Sequence, residues 1–348
     1  DADAVKKVVN VLQEVGYSDT LLVISAMGKI TNAMERVVES YFNDKNAVSG
    51  SIQEVIDYHN QILSDLFQNP NHTWLDVRTM IKTDTNYRDA QVNWERTQQE
   101  VGKVDVSKLN ITQGFLGSDD NNFTTTLGRE GSDYSAAILA FCLNAESVTI
   151  WKDVPGVLNA DPRNFENAQL LDKISYREAI ELAFYGASVI HPKTLQPLQR
   201  KEIPLKVKSF VNPKGKGTTV GKGNGIEPKV PCFIVKKNQV LLKLSSLDFS
   251  FIVEDNISEI FKLFHDHRLK VDLIQNSAIS FSVCLDNKFR GLPPLLEELK
   301  RKFKVVCHED VSLYTIRHFN DDSVKSLQNG TSVLVEQRGK ETVQLVVK

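Results

Sequence analysis

The sequence predicts an α/β protein: a layered sandwich around a mostly parallel sheet, followed by small α+β domains built on the ferredoxin-like plan. Three observations carry this. Over the first two-thirds of the chain, apolar runs of strand length alternate with segments of helical period, the pattern of repeated βα units. From Asn212 a stretch rich in Gly, Lys and Pro, "NPKGKGTTVGKGNGIEPK", interrupts the alternation as a linker or exposed hairpin. Beyond it the order of elements becomes β-α-β-β-α-β. A chain of 348 residues has length enough for two or three such cores.

The elements follow in order. "AVKKVVNVLQEVG" places Val5, Val8, Val9 and Leu12 at helical spacing and stops at Gly16, a usual helix terminator. "TLLVISAMG" is an unbroken apolar run, as a strand covered on both faces requires. "HTWLDVR" and "LNITQGFLG" read as further strands, "SAAILAFCL" as a helix apolar on most sides, and "ESVTIWKDV" as the strand after it. In the C-terminal part, "QVLLKLSSL" reads as a strand and "ISEIFKLFHDHRL" as a helix with Ile257, Ile260, Phe261 and Phe264 on one face. "KVDLIQNS", "ISFSVCLD", "LPPLLEELKRKF" and "KVVCHED" complete one ferredoxin-like unit. "VSLYTIRHF" starts a second, closed by a hairpin of "TSVLVEQRG" and "TVQLVVK", while "NDDSVKSLQNG" between them is read as too short for a full helix. The expected domains are 1–222, 230–310 and an abbreviated 311–348.

Composition narrows the function. The apolar fraction of 41% and charged fraction of 25% are those of an ordinary globular protein. A net charge of −2 gives no electrostatic reason for nucleic acid or an anionic membrane as partner, so small molecules are expected. The cysteines Cys142, Cys232, Cys284 and Cys307 are scattered and form no C-x-x-C pair, which argues against a disulfide framework or a zinc site. No apolar run is long enough to span a bilayer and the first residues lack a signal-peptide core, so the expected setting is the reducing cytoplasm.

The chemistry concentrates at strand ends. In "TTTLGREGSDYSAAILAFCL", Gly128 and Gly131 let backbone approach a ligand, and Ser132 stands where a helix N-cap is expected. Free amides and the helix dipole would then face an anion. Arg129 offers a planar fork of donors for a carboxylate or phosphate, and Asp133 could order a lysine, a metal-bound water or an amine. The glycine spacing matches neither G-x-G-x-x-G nor the P-loop. "VISAMGKITN" sets Ser25, Gly28, Thr31 and Asn32 after another buried strand, at the carboxyl end where open α/β sheets bind ligands. "WKDVPGVLNADPR" groups Lys152, Asp153, Asp161 and Arg163 around a Pro155-Gly156 pair suited to a type II turn.

These segments, with "TQGFLGS" and "YGASVIHPKTL", occur in the order and spacing of the aspartate kinases, and the tail resembles their paired ACT domains. The resemblance implies the amino-acid-kinase fold, a three-layer sandwich, and phosphorylation of the L-aspartate side-chain carboxylate by Mg²⁺ and ATP. It assigns Ser25, Thr31, Arg129 and Ser132 to the substrate and sets Asp133 beside the reacting groups. Gly28, Lys152, Asp153, Leu158 and Arg163 then fall to ATP, and Val271, Asp272, Asn276 and Ser277 to an amino-acid effector. No metal ligand is assigned. Ala278 stands where lysine-inhibited relatives often carry glutamate, so threonine or no effector is expected here. A homodimer or higher homo-oligomer through the ACT domains is also implied.

Departures from the family pattern define the alternatives. The chain opens in the helix that follows the family's K-F-G-G strand, "SDLFQNPNH" leaves no room for G-E-x-x-S, and Ser188 replaces a lysine beside ATP. Read literally, these would make an amino-acid sensor on a disabled kinase scaffold; a sibling amino-acid kinase would share the fold but not the ACT pair. No later dinucleotide-binding region, such as a fused homoserine dehydrogenase would add, is visible in these residues. His191 and Lys193 could approach ATP, but His191 before a proline reads as a helix start, and His265 with His267 as an ordinary helix end.

Overall fold

Gly16, at φ 86°, ends the first helix in a left-handed conformation that a residue without Cβ takes at little cost. In the computed structural model, which describes residues 2–16, 18–25, 30–66, 73–107, 109–187, 189–248, 250–286 and 291–348, that helix is α1 (Ala2–Val15). It leads to β1 (Leu21–Ile24), then α2 (Ile30–Asn43) and α3 (Val48–Leu66). "HTWLDVR" contributes only β2 (Thr73–Leu75) as strand, because Asp76 accepts the Arg78 N–H at 3.0 Å and caps the short helix α4 (Val77–Met80). After α5 (Trp94–Val101), "LNITQGFLG" divides into β3 (Asn110–Gln113) and β4 (Leu116–Ser118). The break is the turn at Gly114 and Phe115, the latter at φ 77°. β4 pairs antiparallel with β5 (Thr124–Thr126).

The central helix α6 (Gly131–Leu143) buries Ala137, Ile138, Leu139, Ala140 and Cys142, hence its apolar character on most sides. β6 (Val148–Lys152) and β7 (Lys173–Ser175) follow, then α7 (Tyr176–Tyr185) and α8 (Pro192–Arg200). The glycine-rich segment is no free linker: β8 (Leu205–Ser209) turns back antiparallel into β9 (Thr218–Gly221), and β10 (Ile226–Glu227) is a short strand beyond it. One sheet has the order β1-β3-β2 with all pairs parallel; in another, β7-β9-β8-β6, the outer pairs are parallel. The mostly parallel sandwich is therefore observed.

The remaining elements are β11 (Cys232–Ser246), α9 (Glu254–Asp266), β12 (Lys270–Asn276), β13 (Ser280–Asp286), α10 (Leu292–Leu299), β14 (Phe303–Arg317), α11 (Asp321–Gln328), β15 (Val333–Arg338) and β16 (Thr342–Val347). They form one six-stranded antiparallel sheet of order β12-β13-β11-β14-β16-β15. The sequence pattern divides residues 303–317 into two strands; the structure has one, pairing with β11 along its whole length and slipping register near Gln239. Cys232 to Lys236 of β11 thus pair with Leu313 to Arg317, and Leu241 to Ser246 with Phe303 to His308. "NDDSVKSLQNG" does form a helix, α11, because Asn320 and Ser323 bond reciprocally as a capping box.

The core of this sheet has separate faces. Val240, Leu242, Leu244, Phe281, Val283 and Leu285 pack against α9 and α10 through Ile260, Phe264, Leu295 and Leu299. Leu241, Leu273, Cys284, Val311, Leu313, Val335 and Val346 form a second cluster without helix residues. By contact the chain divides into Asp1–Val157 with Asp172–Ile180 and Val189–Gly225, and Leu158–Leu171 with Glu181–Ser188 and Ile226–Lys348. Among the described residues no helix is long and apolar enough to cross a membrane.

Candidate active site

The loop before α6 is shaped by packing against the carboxyl end of β3. Gly114 donates its N–H to Ile24 O at 2.9 Å, and a Cβ on it would stand 2.7 Å from Ser132 Cα. A Cβ on Gly131 would meet Phe115 Cδ2 at 2.5 Å. Phe115 N–H donates to Ser135 Oγ at 2.9 Å, which donates in turn to Gly131 O at 2.8 Å. Glycine is required at both positions for contact.

The helix begins before Ser132. Ser132 is not the N-cap that the sequence suggests: the cap is Glu130, at φ 52° and without a side-chain capping bond, and Ser132 lies half-buried in the first turn. The first backbone bond runs from Tyr134 N–H to Glu130 O at 3.1 Å, so the amides of Gly131, Ser132 and Asp133 precede the helical ladder. Glu130 Oε2 is buried without a hydrogen-bond partner among the described residues.

Asp133 and Lys152 meet. Lys152 is the last residue of β6, and its Nζ donates to Asp133 Oδ2 at 2.8 Å, with side chains 27% and 14% exposed. A carboxylate in the first helical turn suits the dipole, and it holds the ammonium beside the free amides. Arg129 is exposed just ahead of them, Asp153 just after Lys152. Ser25 is exposed at the end of β1; Thr31 lies in α2 with its side chain outside the described residues, and Gly28 lies outside them altogether.

Lys152 takes Asp133 as its partner, and Asp161 takes Arg163. Arg163 Nε and Nη2 grip Asp161 at 3.0 and 2.7 Å, which holds the Asp161 carboxyl below the usual range. Arg163 and Leu158 belong to the second unit, where Leu158 bridges Leu170. Gly156, at φ 152°, departs from the roughly 80° of a type II turn. His191 caps α8, its Nδ1 accepting the Lys193 N–H at 3.2 Å, as its place before Pro192 suggests. His267 closes α9 and meets Glu298 at 3.0 Å. Burial pushes the Cys142 and Cys284 thiols up to about 11 and about 12, so neither is a poised nucleophile.

In the second unit the residues expected to meet an effector divide. Between Val271↔Leu285 and Leu273↔Cys284 the ladder slips, leaving Asp272 as the extra residue of a β-bulge. The bulge explains why Val271 packs on the helix-covered face and Leu273 in the other cluster, although they are two apart. Asp272 is buried, with Oδ1 accepting from Lys236 Nζ at 2.8 Å and Oδ2 without a partner among the described residues. Lys236 is a contact that the sequence did not announce. Asn276 ends β12, and the Ser277 and Ser280 hydroxyls bond at 2.6 Å across the turn beyond it.

Residues 1–209 match the model of the amino acid kinase family. The chain belongs to the amino acid kinase family. Among curated relatives it is similar to lysine-sensitive aspartokinase 3 of Escherichia coli (strain K12), 34% identical over 279 residues, 76% of this chain and 62% of that protein. It thus spans less than two thirds of that relative's length. Its fold resembles E. coli aspartokinase III with lysine and aspartate (T-state), at 26% identity and TM-score 0.77, covering 99% of this chain and 92% of that one. The same enzyme with aspartate and ADP (R-state) matches at 25% identity and TM-score 0.73, covering 100% and 93%. The family member described here therefore combines an amino-acid-kinase sandwich with a C-terminal antiparallel sheet.

Proposed function

We propose that this chain acts as an aspartate kinase, transferring the terminal phosphoryl group of ATP to the side-chain carboxylate of L-aspartate to give 4-phospho-L-aspartate, at the entry to lysine, methionine and threonine synthesis. The observation that carries the reading is the Lys152–Asp133 pair beside the first amides of α6, which have no backbone partner among the described residues, with Arg129 exposed next to it. The similarity to aspartokinases and the aspartate and ADP in their structures support the same assignment.

The chemistry fits these groups. A carboxylate oxygen forms a bond to phosphorus as the bond to the β-phosphate oxygen breaks, and no proton moves, because the acceptor is already ionised. Two anions must share one site, so catalysis comes from cations and amides that neutralise their charge. Lys152 supplies an ammonium, oriented by Asp133; the amides of Gly131 to Asp133 supply fixed dipoles; Arg129 is suited to hold the acceptor's α-carboxylate through its fork. Among the described residues no group of three or more His, Cys, Asp or Glu could hold a metal. Mg²⁺ carried on the nucleotide phosphates would add to the neutralisation of their charge.

We also assign the sheet of β11 to β16 to two ACT domains, 230–310 and 311–348, the register slip near Gln239 supporting that division. Val271, Asp272, Asn276 and Ser277 are the proposed effector positions, and association of copies through these domains gives a homo-oligomer in the cytoplasm.

The test is turnover by the full chain with Mg-ATP and L-aspartate, the acyl phosphate being trapped as a hydroxamate. Aspartate-dependent ADP release is expected, and Arg129→Lys should lower it by about 30-fold, near 2 kcal/mol, with ADP affinity unchanged. Amino-acid binding without turnover would replace this reading by the sensor on a disabled scaffold.

A further inference from the structure

We propose that Lys193 is a further oxyanion-binding residue of the phosphoryl-transfer site, held by Asp89 until a ligand takes its place. The inference rests on the kinase reading above and adds to it a residue outside the strand-end motifs. It starts from the course of two helices. Lys193, in the first turn of α8, places its Nζ 3.5 Å from where a Cβ on Gly128 would stand, just before α6. At the other end, Lys201 Nζ donates to Phe141 O at 2.6 Å and to Asn144 Oδ1 at 2.5 Å, where α6 stops. The two helices therefore run side by side in the same direction, and both N-termini open on the loop of Gly128 to Gly131.

The sequence fixes this end of α8. His191 caps it, Pro192 fills its first position, and Thr194, Leu195, Pro197 and Leu198 form its buried face. Lys193 has no part in that face. A cation in a first helical turn opposes the dipole, so its placement there is mildly unfavourable unless a negative charge offsets it. Asp89 provides that charge: its carboxylate binds Lys193 Nζ and occupies the space that a side chain on Gly128 would need. Yet Asp89 is 56% exposed and Lys193 29%, so their attraction is that of a wet surface pair, easily exchanged. A phosphate or carboxylate reaching the loop amides brings a denser charge than Asp89, and Lys193 turns to it with a short movement of a flexible side chain. Arg129, Lys152 and Lys193 then bring positive charge to one loop from three elements.

The nucleotide phosphates and the acceptor carboxylate share this chemistry, and the experiment separates them. In the full chain, ADP binding by calorimetry and the KM for ATP and for aspartate are measured for Lys193→Met, Lys193→Arg and Asp89→Asn. With phosphate as the ligand, Lys193→Met weakens ADP by about tenfold; with the carboxylate, it raises the aspartate KM by about tenfold and spares ADP. Lys193→Arg should retain most of either, and Asp89→Asn should tighten the same ligand by freeing the ammonium. The proposal fails if folded Lys193→Met leaves ADP affinity and both KM values unchanged, or if Asp89→Asn weakens the ligand as Lys193→Met does. Absence of turnover in the wild-type chain would refute the kinase reading, while the ADP measurement would still decide the role of Lys193.

Discussion

Lys152 with Asp133 and Lys236 with Asp272 are the same contact in two places, an ammonium 2.8 Å from a carboxylate oxygen. Their surroundings differ. The first joins the end of a parallel strand to the start of a helix, with both side chains partly open and free amides beside them. The second lies in the antiparallel sheet, where the bulge in β12 turns Asp272 inward to 5% exposure and leaves its other oxygen unpartnered among the described residues. Lys236 is itself confined, its Cε 2.9 Å from where a Cβ on Gly186 would stand. An open pair can exchange partners and serve a ligand; a walled pair is costly to break because the group left behind has no water to turn to.

The largest expected effect comes from breaking the walled pair. Lys236→Met leaves a buried carboxylate uncompensated and should destabilise the second unit by about 3 kcal/mol in urea unfolding, Lys270 at 3.8 Å being too exposed to replace it. Adding Asp272→Leu should recover most of the loss; a double variant no more stable than the single would show that burial is not the cause.

The open pair should respond in the opposite sense. Lys152→Met is expected to change stability by less than about 1 kcal/mol and to lower kcat/KM for aspartate phosphorylation by about 100-fold, near 2.7 kcal/mol. A variant that loses stability but not activity would move Lys152 into the structural class.

A third case lies between them. The Arg78 guanidinium beside Asp76 holds its carboxyl below the usual range; burial opposes it as the next largest effect, and the Arg78 backbone N–H and Gln113 add further lowering hydrogen bonds. Because the folded pKa lies below the unfolded one, this contribution is complete above about pH 4 and is lost as pH falls through the folded value. Asp76→Ala should cost about 1 kcal/mol at pH 7, mainly through the α4 cap, and clearly less at pH 2. Urea midpoints at the two pH values give the comparison, and an equal loss at both would exclude the charge as its source.

The smallest effect belongs to Arg163, whose side chain is 83% exposed against Asp161. Arg163→Ala should alter stability by about 0.5 kcal/mol or less. A role with nucleotide would appear as a higher KM for ATP, and an unchanged value removes Arg163 from that site.

Much of the scaffold could be read from local pattern. The strand runs at Leu21–Ile24 and Val148–Lys152 and the apolar helix from Gly131 stand where the pattern predicts them, although β1 is only half-buried along its length and β6 is buried at Val148 and Ile150 rather than on both faces. Gly128 stands in the loop before α6 for the conformational reason, its φ of 79°, while Gly114 and Gly131 owe their identity to contacts with Ser132 and Phe115 that no local pattern contains. Ser132 illustrates the limit: a serine before an apolar run looks like a cap, but the helix already begins at Gly131, after Glu130 in a left-handed conformation. Likewise α11 escaped a length argument because its capping box offsets the cost of a short helix.

The sequence by itself determined the alternation of elements, the change of plan after Asn212, and which loops are rich in glycine and charge. Those properties depend on periodicity and on residue type, both of which are local. The tertiary structure alone decided the pairing of charges: Asp133 with Lys152 across 19 residues, Lys236 with Asp272 across 36, and Asp89 with Lys193 across 104. It also decided the bulge at Asp272 and the unbroken run of β14. A sequence specifies that an ion must find a partner when it is taken from water, but which partner it finds depends on where the closed chain brings the strand ends together.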